Sequence, residues 1–138
     1  MGMTLGLILA GLVVQQAPAS GATAPVVRSG SISNSDYPRS AVRARAQGDV
    51  LIRFTVTTEG RVTDCRPESS SGSVALDEQA CNIWVRRTRY RPATDASGQP
   101  VAQSATQAFS WRIDRPCPRG EPGRVCITAS RPQPLRSN

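Results

Sequence analysis

Apolar residues occupy every second position in part of the stretch "DVLIRFTVTTEGRVTDC", which covers residues 49–65. The repeated positions are Val50, Ile52, Phe54 and Val56. A period of two predicts a half-buried β-strand, because successive strand side chains point to opposite faces of a sheet. Glu59 and Gly60 are turn residues, and residues 62–66 have the composition of a returning strand that Pro67 limits. The stretch therefore predicts a β-hairpin.

The stretch "ALDEQACNIWVRRT", residues 75–88, has the periodicity of an α-helix. Its predicted apolar face consists of Leu76, Ala80, Ile83 and Trp84, with Cys81 and Val85 beside it. Ser73 can cap the first turn, and Arg86 and Arg87 suit the negative end of the helix dipole. A helix is therefore predicted directly after the serine-rich loop that follows the hairpin.

Two further elements complete the predicted fold. A short helix is expected between Asp36, a candidate N-cap, and Gly48, with Pro38 at its first position. A last strand is expected from the alternation in residues 101–113. The order α-β-β-α-β predicts a two-layer α+β domain with a small antiparallel three-stranded sheet. The first strand would lie in the middle of the sheet, with both helices on one face.

The chain has four cysteines and no histidine. An even number of cysteines in an exported chain predicts two disulfides, for which three connectivities exist. Proximity along the chain favours Cys65–Cys81, which would join the edge strand to the second helix, and Cys117–Cys126. A zinc site is the alternative, but the chain has neither a CxxC pair nor a histidine, so no metal site is predicted.

The ends of the chain differ from its middle in composition. Residues 1–24 are uncharged and contain an apolar run of twelve residues, 3–14. A membrane-spanning helix needs roughly 20 residues and a signal-peptide core about 7–15, so residues 1–24 predict a secretory signal. A short uncleaved anchor or a buried helix is the alternative. Residues 25–35 are predicted to be a linker, 36–113 the domain, and 114–138 a Pro- and Arg-rich tail, mostly disordered, with a small disulfide ring.

Charge and composition narrow the possible functions. The formal net charge is +7 and every basic residue is an arginine, so an exported chain of this kind can meet anionic lipids, anionic polymers or acidic partners. Only six aromatic residues are present, which argues against nucleic acid as a partner. The loop "SSSGS" has no histidine or lysine to activate a serine. We therefore predict no catalytic residue, no cofactor and no enzymatic activity.

Five short motifs in order resemble the C-terminal domain family of TonB energy transducers. They are "YP" at residues 37–38, "GDVLIRFTVTTEGRV" at 48–62, "SSGSVALDEQA" at 70–80, "RYRPA" at 89–93 and "GQPV" at 98–101. No single motif is specific, whereas their order and spacing are. The resemblance covers more than half of the chain.

The resemblance implies a periplasmic protein-binding domain that serves energy-dependent transmembrane transport. In the family, an extended peptide of an outer-membrane TonB-dependent receptor docks on the exposed edge of the last strand, where unpaired N–H and C=O groups are available. Carried onto this chain, the candidate partner-binding residues of that strand are Val101, Ala102, Ser104, Thr106, Ala108 and Ser110. Tyr37 and Pro38 match a family segment that also touches the receptor.

Family transducers carry a longer membrane helix, often with a histidine that couples to an inner-membrane motor, and a long Pro-rich spacer. Here the linker has eleven residues, which reach roughly 40 Å when fully extended. We therefore expect a periplasmic module without the motor as a partner. Homodimerisation through paired edges stays open. The alternative function is a stand-alone envelope protein whose Arg-rich surface binds anionic envelope material in a salt-sensitive way.

Overall fold

The computed structural model describes residues 21–119 and 122–130. In chain order the strands are β1 Val26–Ser29, β2 Gly48–Val56, β3 Val62–Ser69, β4 Arg89–Arg91, β5 Ala93–Thr94, β6 Pro100–Val101, β7 Gln103–Ile113 and β8 Arg124–Ala129. The helices are α1 Arg39–Arg43 and α2 Val74–Arg87, and a 3-10 turn, Asn34–Asp36, precedes α1. The predicted α+β class is confirmed.

The central sheet has four strands in the order β3-β2-β7-β8. As predicted, β2 lies between β3 and β7 and pairs antiparallel with both. The expected three-stranded sheet needs a correction, because β8 adds a fourth strand that runs parallel to β7. Residues 124–129 lie in the segment predicted to be a mostly disordered tail with a small disulfide ring. Their apolar side chains instead extend the core, with Ile127 fully buried.

The β2–β3 hairpin has the predicted turn. Thr57 N–H donates to the Arg61 carbonyl at 2.8 Å, and Gly60 sits in a left-handed conformation with φ of 80°. A Cβ at Gly60 would lie 2.0 Å from the Tyr90 carbonyl oxygen, so only glycine fits this position. Tyr90 N–H donates to the Gly60 carbonyl at 2.8 Å, which ties the hairpin turn to β4.

One face of the sheet forms the core together with α2. The core side chains from strands include Val50, Ile52, Phe54, Val56, Phe109, Trp111 and Ile127, and those from α2 are Leu76, Ala80, Ile83 and Trp84. The Trp84 ring contacts Phe54 and Phe109, with ring centroids 6.2 and 5.4 Å apart. Ala41 of α1 is buried in the same cluster. Both helices therefore cover the same face of the sheet, while the opposite face is polar.

Helix α2 begins and ends as predicted. The Ser73 hydroxyl accepts from Leu76 N–H at 3.4 Å, and Arg86 and Arg87 form the last turn. The disulfide Cys65–Cys81 joins β3 to α2, with the two Cα atoms 5.6 Å apart. The predicted covalent link between helix and sheet is present.

The segment before the domain differs from prediction in two ways. Asp36 is not the N-cap of α1, which is Pro38; Asp36 instead ends the 3-10 turn, where it accepts from Ser33 N–H at 2.8 Å and forms an ion pair with Arg87 at 2.7 Å. The predicted linker, 25–35, is not free, because β1 pairs antiparallel with β4.

The ends of the chain are described only in part. The apolar run of the predicted signal and residues 131–138 of the predicted tail lie outside the described residues. Residues 21–24 are described, and Thr23 pairs with Thr94 of β5. Neither helix within the described ranges has the length and apolarity needed to cross a membrane.

Candidate peptide-docking edge

The backbone groups of β7 divide between its two neighbours. Ile113 N–H donates to the Gln47 side chain on the β2 side at 2.9 Å, and Asp114 N–H donates to the Ala129 carbonyl on the β8 side at 2.9 Å. Along a β-strand, the backbone N–H and C=O groups of successive residues face opposite neighbouring strands. The even-numbered residues of β7 therefore direct these groups away from β2. Ser104 and Thr106 therefore face the same side as β8.

β8 covers only part of that side. It pairs with β7 from Ala108, opposite Arg124, to Ile113, opposite Ala129. Residues 103–107 of β7 have no strand partner on this side within the part of the chain that the structure describes. The edge predicted to be exposed along the whole last strand is thus open over its first half and closed over its second half.

Several contacts hold β8 in place. Ile127 is fully buried, and the Thr128 N–H donates to the Asn34 Oδ1 at 3.1 Å. The Gln107 side chain donates to the Gly123 carbonyl at 2.7 Å, directly before β8 begins. The predicted disulfide Cys117–Cys126 closes the β7–β8 connection, with Cα atoms 5.9 Å apart. β8 is therefore an integral part of the sheet.

The structure separates the predicted docking residues into two groups. Ser104 and Thr106 are exposed on the open half of β7, and Ala102 is exposed between β6 and β7. Val101 belongs to β6 and pairs with Ala93 in a small separate hairpin. The expectation of one continuous strand from residue 101 to 113 is therefore wrong at its start.

Ala108 and Ser110 lie in the closed half. Ala108 is half-buried opposite the first residue of β8. Ser110 is fully buried; its hydroxyl donates to Asp49 Oδ1 at 2.7 Å and accepts from Arg124 Nη1 at 3.1 Å. Neither residue is accessible to a docked strand while β8 is in place.

Tyr37 is a core residue. Its side chain is 5% exposed and its ring packs edge-on against Trp111, with centroids 5.2 Å apart. The hydroxyl donates to the Ala46 carbonyl, and burial raises the pKa of Tyr37 to about 12. The Tyr37 side chain is thus unavailable for the predicted receptor contact, whereas Pro38 is partly exposed at the start of α1.

The opposite edge of the sheet, β3, is unsuited to strand addition. Asp64 has a positive φ of 53°, and the pairing with β2 shifts register on both sides of Arg53. Pro67, within β3, has no N–H to offer. Irregular backbone and proline are two devices by which natural proteins protect an edge from pairing.

Sequence reasoning missed β8, although a weak signal was present. In "RVCITA" the apolar residues Val125, Ile127 and Ala129 alternate with Cys126 and Thr128. The segment is only six residues long and lies between prolines and arginines, which obscured its period of two.

Among the residues in the ranges 21–119 and 122–130, no group of His, Cys, Asp or Glu is arranged to hold a metal ion.

Comparison with known proteins agrees with the motifs. Residues 33–113, well over half of the chain, match the profile of the family described as "Gram-negative bacterial TonB protein C-terminal". Protein TonB of Pseudomonas aeruginosa is 31% identical over 112 residues, covering 73% of this chain and 32% of that protein. The chain thus spans about a third of the length of this relative.

A solved structure gives the same result for the fold. The solution NMR structure of the Pseudomonas aeruginosa TonB CTD is 27% identical and has a TM-score of 0.52. The similarity covers 69% of this chain and 92% of that one. The family match runs from the 3-10 turn to the end of β7, so β8 lies beyond it. On these grounds the chain belongs to the family of TonB C-terminal domains.

Proposed function

We propose that this chain is a protein-binding module of the TonB type. It docks an extended peptide of an outer-membrane TonB-dependent receptor by β-augmentation and so takes part in energy-dependent transport. The supporting observation is the open side of β7 at residues 103–107, where Ser104 and Thr106 direct N–H and C=O groups away from β2. A peptide in extended conformation supplies the complementary groups.

The open edge sets the length of the docked strand. Five residues at about 3.4 Å each give roughly 17 Å of edge. A peptide on this edge would lie in line with β8 and end near Arg124, where β8 begins. A longer peptide has to displace β8, so docking without rearrangement is limited to about five residues.

The side chains at the open edge permit close approach of a second backbone. Ser104 and Thr106 are small and exposed, and Ala105 between them belongs to the core side of the strand. Main-chain hydrogen bonds therefore supply most of the affinity, and selectivity depends on the few side chains around them.

The setting of this function is the periplasm. Both disulfides of the structure suit an oxidising compartment, to which the predicted signal in residues 1–24 would deliver the chain. The module acts by binding rather than catalysis.

The test is the substitution Thr106→Pro. Proline removes an N–H that faces the open edge, while the β2 pairing uses the neighbouring odd-numbered residues, so the sheet keeps its ladder. Binding of synthetic peptides from the periplasmic N-terminal segments of the source organism's receptors is measured by isothermal calorimetry. We expect Thr106→Pro to weaken binding about tenfold or more, since a hydrogen bond is lost and the ring blocks approach.

Thr106→Ala is the matched control, because it removes the side chain and keeps the N–H; its affinity should stay near that of the parent chain. Equal binding by Thr106→Pro and the parent would contradict docking at this edge. Binding that disappears at high salt and ignores Thr106→Pro would favour the alternative function, attachment to anionic envelope material through the Arg-rich surface.

A further inference from the structure

A second candidate site lies at the end of the sheet where β2 begins and β7 ends, away from the open edge. Two adjoining concavities of about 200 and 250 Å³ share Gln47 and Arg115 as lining residues. Arg45 lines the first and Arg112 the second. Each is several times larger than the roughly 30 Å³ that a water molecule occupies in the liquid. We call this region the sheet-end site.

The sheet-end site has more positive than negative side chains: three arginines against the two carboxylates of Asp49 and Asp114. Arg45, Arg112 and Arg115 form no salt bridge with a carboxylate in the described ranges, whereas three other arginines of the chain do. Asp49 lines the second concavity but is already engaged with Ser110 and Arg124, at 2.7 and 3.2 Å. Asp114 lines the first and is not free either. Unpaired guanidinium groups that share a concavity repel one another unless an anion joins them.

Two buried donors that are adjacent in sequence, one on each face of β7, have no acceptor. Within the described residues, Trp111 Nε1 and Arg112 Nε are the buried side-chain nitrogens that lack a hydrogen-bond partner. Both residues line the second concavity, and Trp111 is 1% exposed. Buried polar groups without a partner are rare in folded proteins. Trp111 packs on the core face of β7, so of the two donors only Arg112 points to the face that carries Asp49 and Ser110.

The Gln47 side chain supplies a further donor to the site. The Gln47 Oε1 atom accepts from Ile113 N–H at 2.9 Å, so its amide group is left to donate. The three guanidinium groups and the Gln47 amide give this surface an excess of hydrogen-bond donors, which favours a ligand that only accepts. Phosphate fits better than carboxylate, because it offers more oxygens and up to two negative charges to three arginines.

We infer that the sheet-end site binds a phosphate group, held by Arg45, Arg112 and Arg115 with the Gln47 amide beside them. The two adjoining concavities suit a ligand with two neighbouring phosphates. A soluble polyphosphate and a phospholipid headgroup share this chemistry. The inference is independent of peptide docking, because the site lies at the opposite end of β7 from residues 103–107.

The two tryptophans of the chain provide the test. The purified ¹⁵N-labelled chain is titrated with inorganic pyrophosphate while both indole N–H signals are followed by NMR. Trp84 is the internal control, because its Nε1 already donates to the Tyr90 hydroxyl at 3.1 Å. Binding at the sheet-end site should shift the Trp111 signal and leave the Trp84 signal unchanged.

Matched variants test the arginines. Arg112→Gln and Arg115→Gln should each weaken pyrophosphate binding by about tenfold or more, because each removes charge-assisted hydrogen bonds. Arg61→Gln makes the same change in net charge at the hairpin turn and should alter the affinity less than about twofold. Arg115 is exposed, so its variant remains informative if Arg112→Gln does not fold.

A second arm identifies the source of the phosphate. Co-sedimentation is measured with vesicles of phosphatidylglycerol and, for comparison, of phosphatidylcholine. If a lipid headgroup is the ligand, Arg112→Gln and Arg115→Gln should weaken binding to the phosphatidylglycerol vesicles. Binding of pyrophosphate without binding of vesicles indicates a soluble ligand. The inference is overturned if pyrophosphate leaves the Trp111 signal unchanged and the phosphatidylglycerol vesicles do not bind, or if Arg61→Gln weakens binding as much as Arg112→Gln does.

Discussion

The two edges of the central sheet are closed by different parts of the chain. The β3 edge is protected by its own irregular backbone and is joined to α2 through Cys65–Cys81, all within the segment that matches the family. The β7 edge is covered by β8, which lies beyond that segment and is held through Cys117–Cys126. One edge is thus closed by the domain itself and the other by an addition.

This difference has a mechanical consequence. Cys65–Cys81 links a strand to a helix across the core, so breaking it loosens the domain as a whole. Cys117–Cys126 links β8 to the loop that leads to it, so breaking it loosens mainly the cover of one edge. We therefore expect the first disulfide to contribute to global stability and the second to contribute mainly to the pairing of β8 with β7.

The largest effect is expected for the double variant Cys65→Ala/Cys81→Ala. The disulfide spans 16 residues, and the chain-entropy relation gives about 3 kcal/mol for a loop of this size. Urea unfolding followed by tryptophan fluorescence should show this loss in the free energy of unfolding of the whole domain. A loss below about 1 kcal/mol would mean that β3 and α2 hold each other without the covalent link.

A somewhat smaller effect is expected for Cys117→Ala/Cys126→Ala. The span of nine residues corresponds to about 2.5 kcal/mol. Here the loss should be local, so amide hydrogen exchange should accelerate in β8 far more than in β2. Receptor peptides longer than five residues should also bind more tightly than to the parent chain, because residues 108–113 become accessible, while shorter peptides should not.

The comparison of the two double variants is the decisive control. Equal acceleration of exchange in β2 and β8 after loss of Cys117–Cys126 would show that β8 unfolds only with the whole domain. The β7 edge would then be as firmly closed as the β3 edge, and docking would be confined to residues 103–107.

A series of unfolding measurements at increasing pH tests the burial of Tyr37, whose ring packs against Trp111 of β7. The pKa of Tyr37 is raised by burial from 10.0 to about 12, so the folded state favours the neutral phenol. Its contribution to stability is complete below pH 10 and is lost as the pH rises through 12. By pH 12 the loss amounts to about 2 kcal/mol.

Tyr37→Phe is the variant that isolates this term. The variant lacks the ionisable hydroxyl, so the part of the loss in the free energy of unfolding at high pH that comes from Tyr37 should disappear. Burial also raises the pKa of Tyr90, and the ionisation of that residue contributes in both proteins. The measurement is urea unfolding at intervals from pH 9 to 12. Identical alkaline profiles for parent and variant would contradict a raised pKa of Tyr37 in the folded state.

The two edges also show what a sequence can and cannot reveal. The β2–β3 hairpin and α2 were predictable because their signals are local: alternation from Val50 to Val56, and a cap at Ser73. Both disulfide pairings followed from proximity along the chain. Each of these features depends on residues that are close in sequence.

Edge accessibility, in contrast, is a non-local property. Whether β7 is exposed depends on a six-residue strand beyond it, and whether Tyr37 is available depends on its contact with Trp111, 74 positions later. A tyrosine followed by proline looks the same in the sequence whether its ring is buried or exposed. Of the candidate docking residues, Ser104 and Thr106 are therefore exposed, whereas Tyr37 and Ser110 are buried.

The smallest effect is expected for substitution of Asn34, whose side chain binds the outer side of β8. Its Oδ1 accepts from the Thr128 N–H at 3.1 Å, which occupies one of the outward-facing groups of this strand. Asn34→Ala should lower the free energy of unfolding by about 0.5–1 kcal/mol, the usual net value of one hydrogen bond. It should also accelerate exchange of the Thr128 amide.

Asn34→Asp keeps an acceptor in the same place and should protect the Thr128 amide as the parent chain does. If Asn34→Ala leaves that amide protected, the 3-10 turn covers β8 by packing rather than through the side chain. If exchange accelerates along all of β8, the pairing of β8 with β7 depends on the single side chain of Asn34. The segment before α1, rather than the disulfide alone, would then help to decide how much of β7 a receptor peptide can reach.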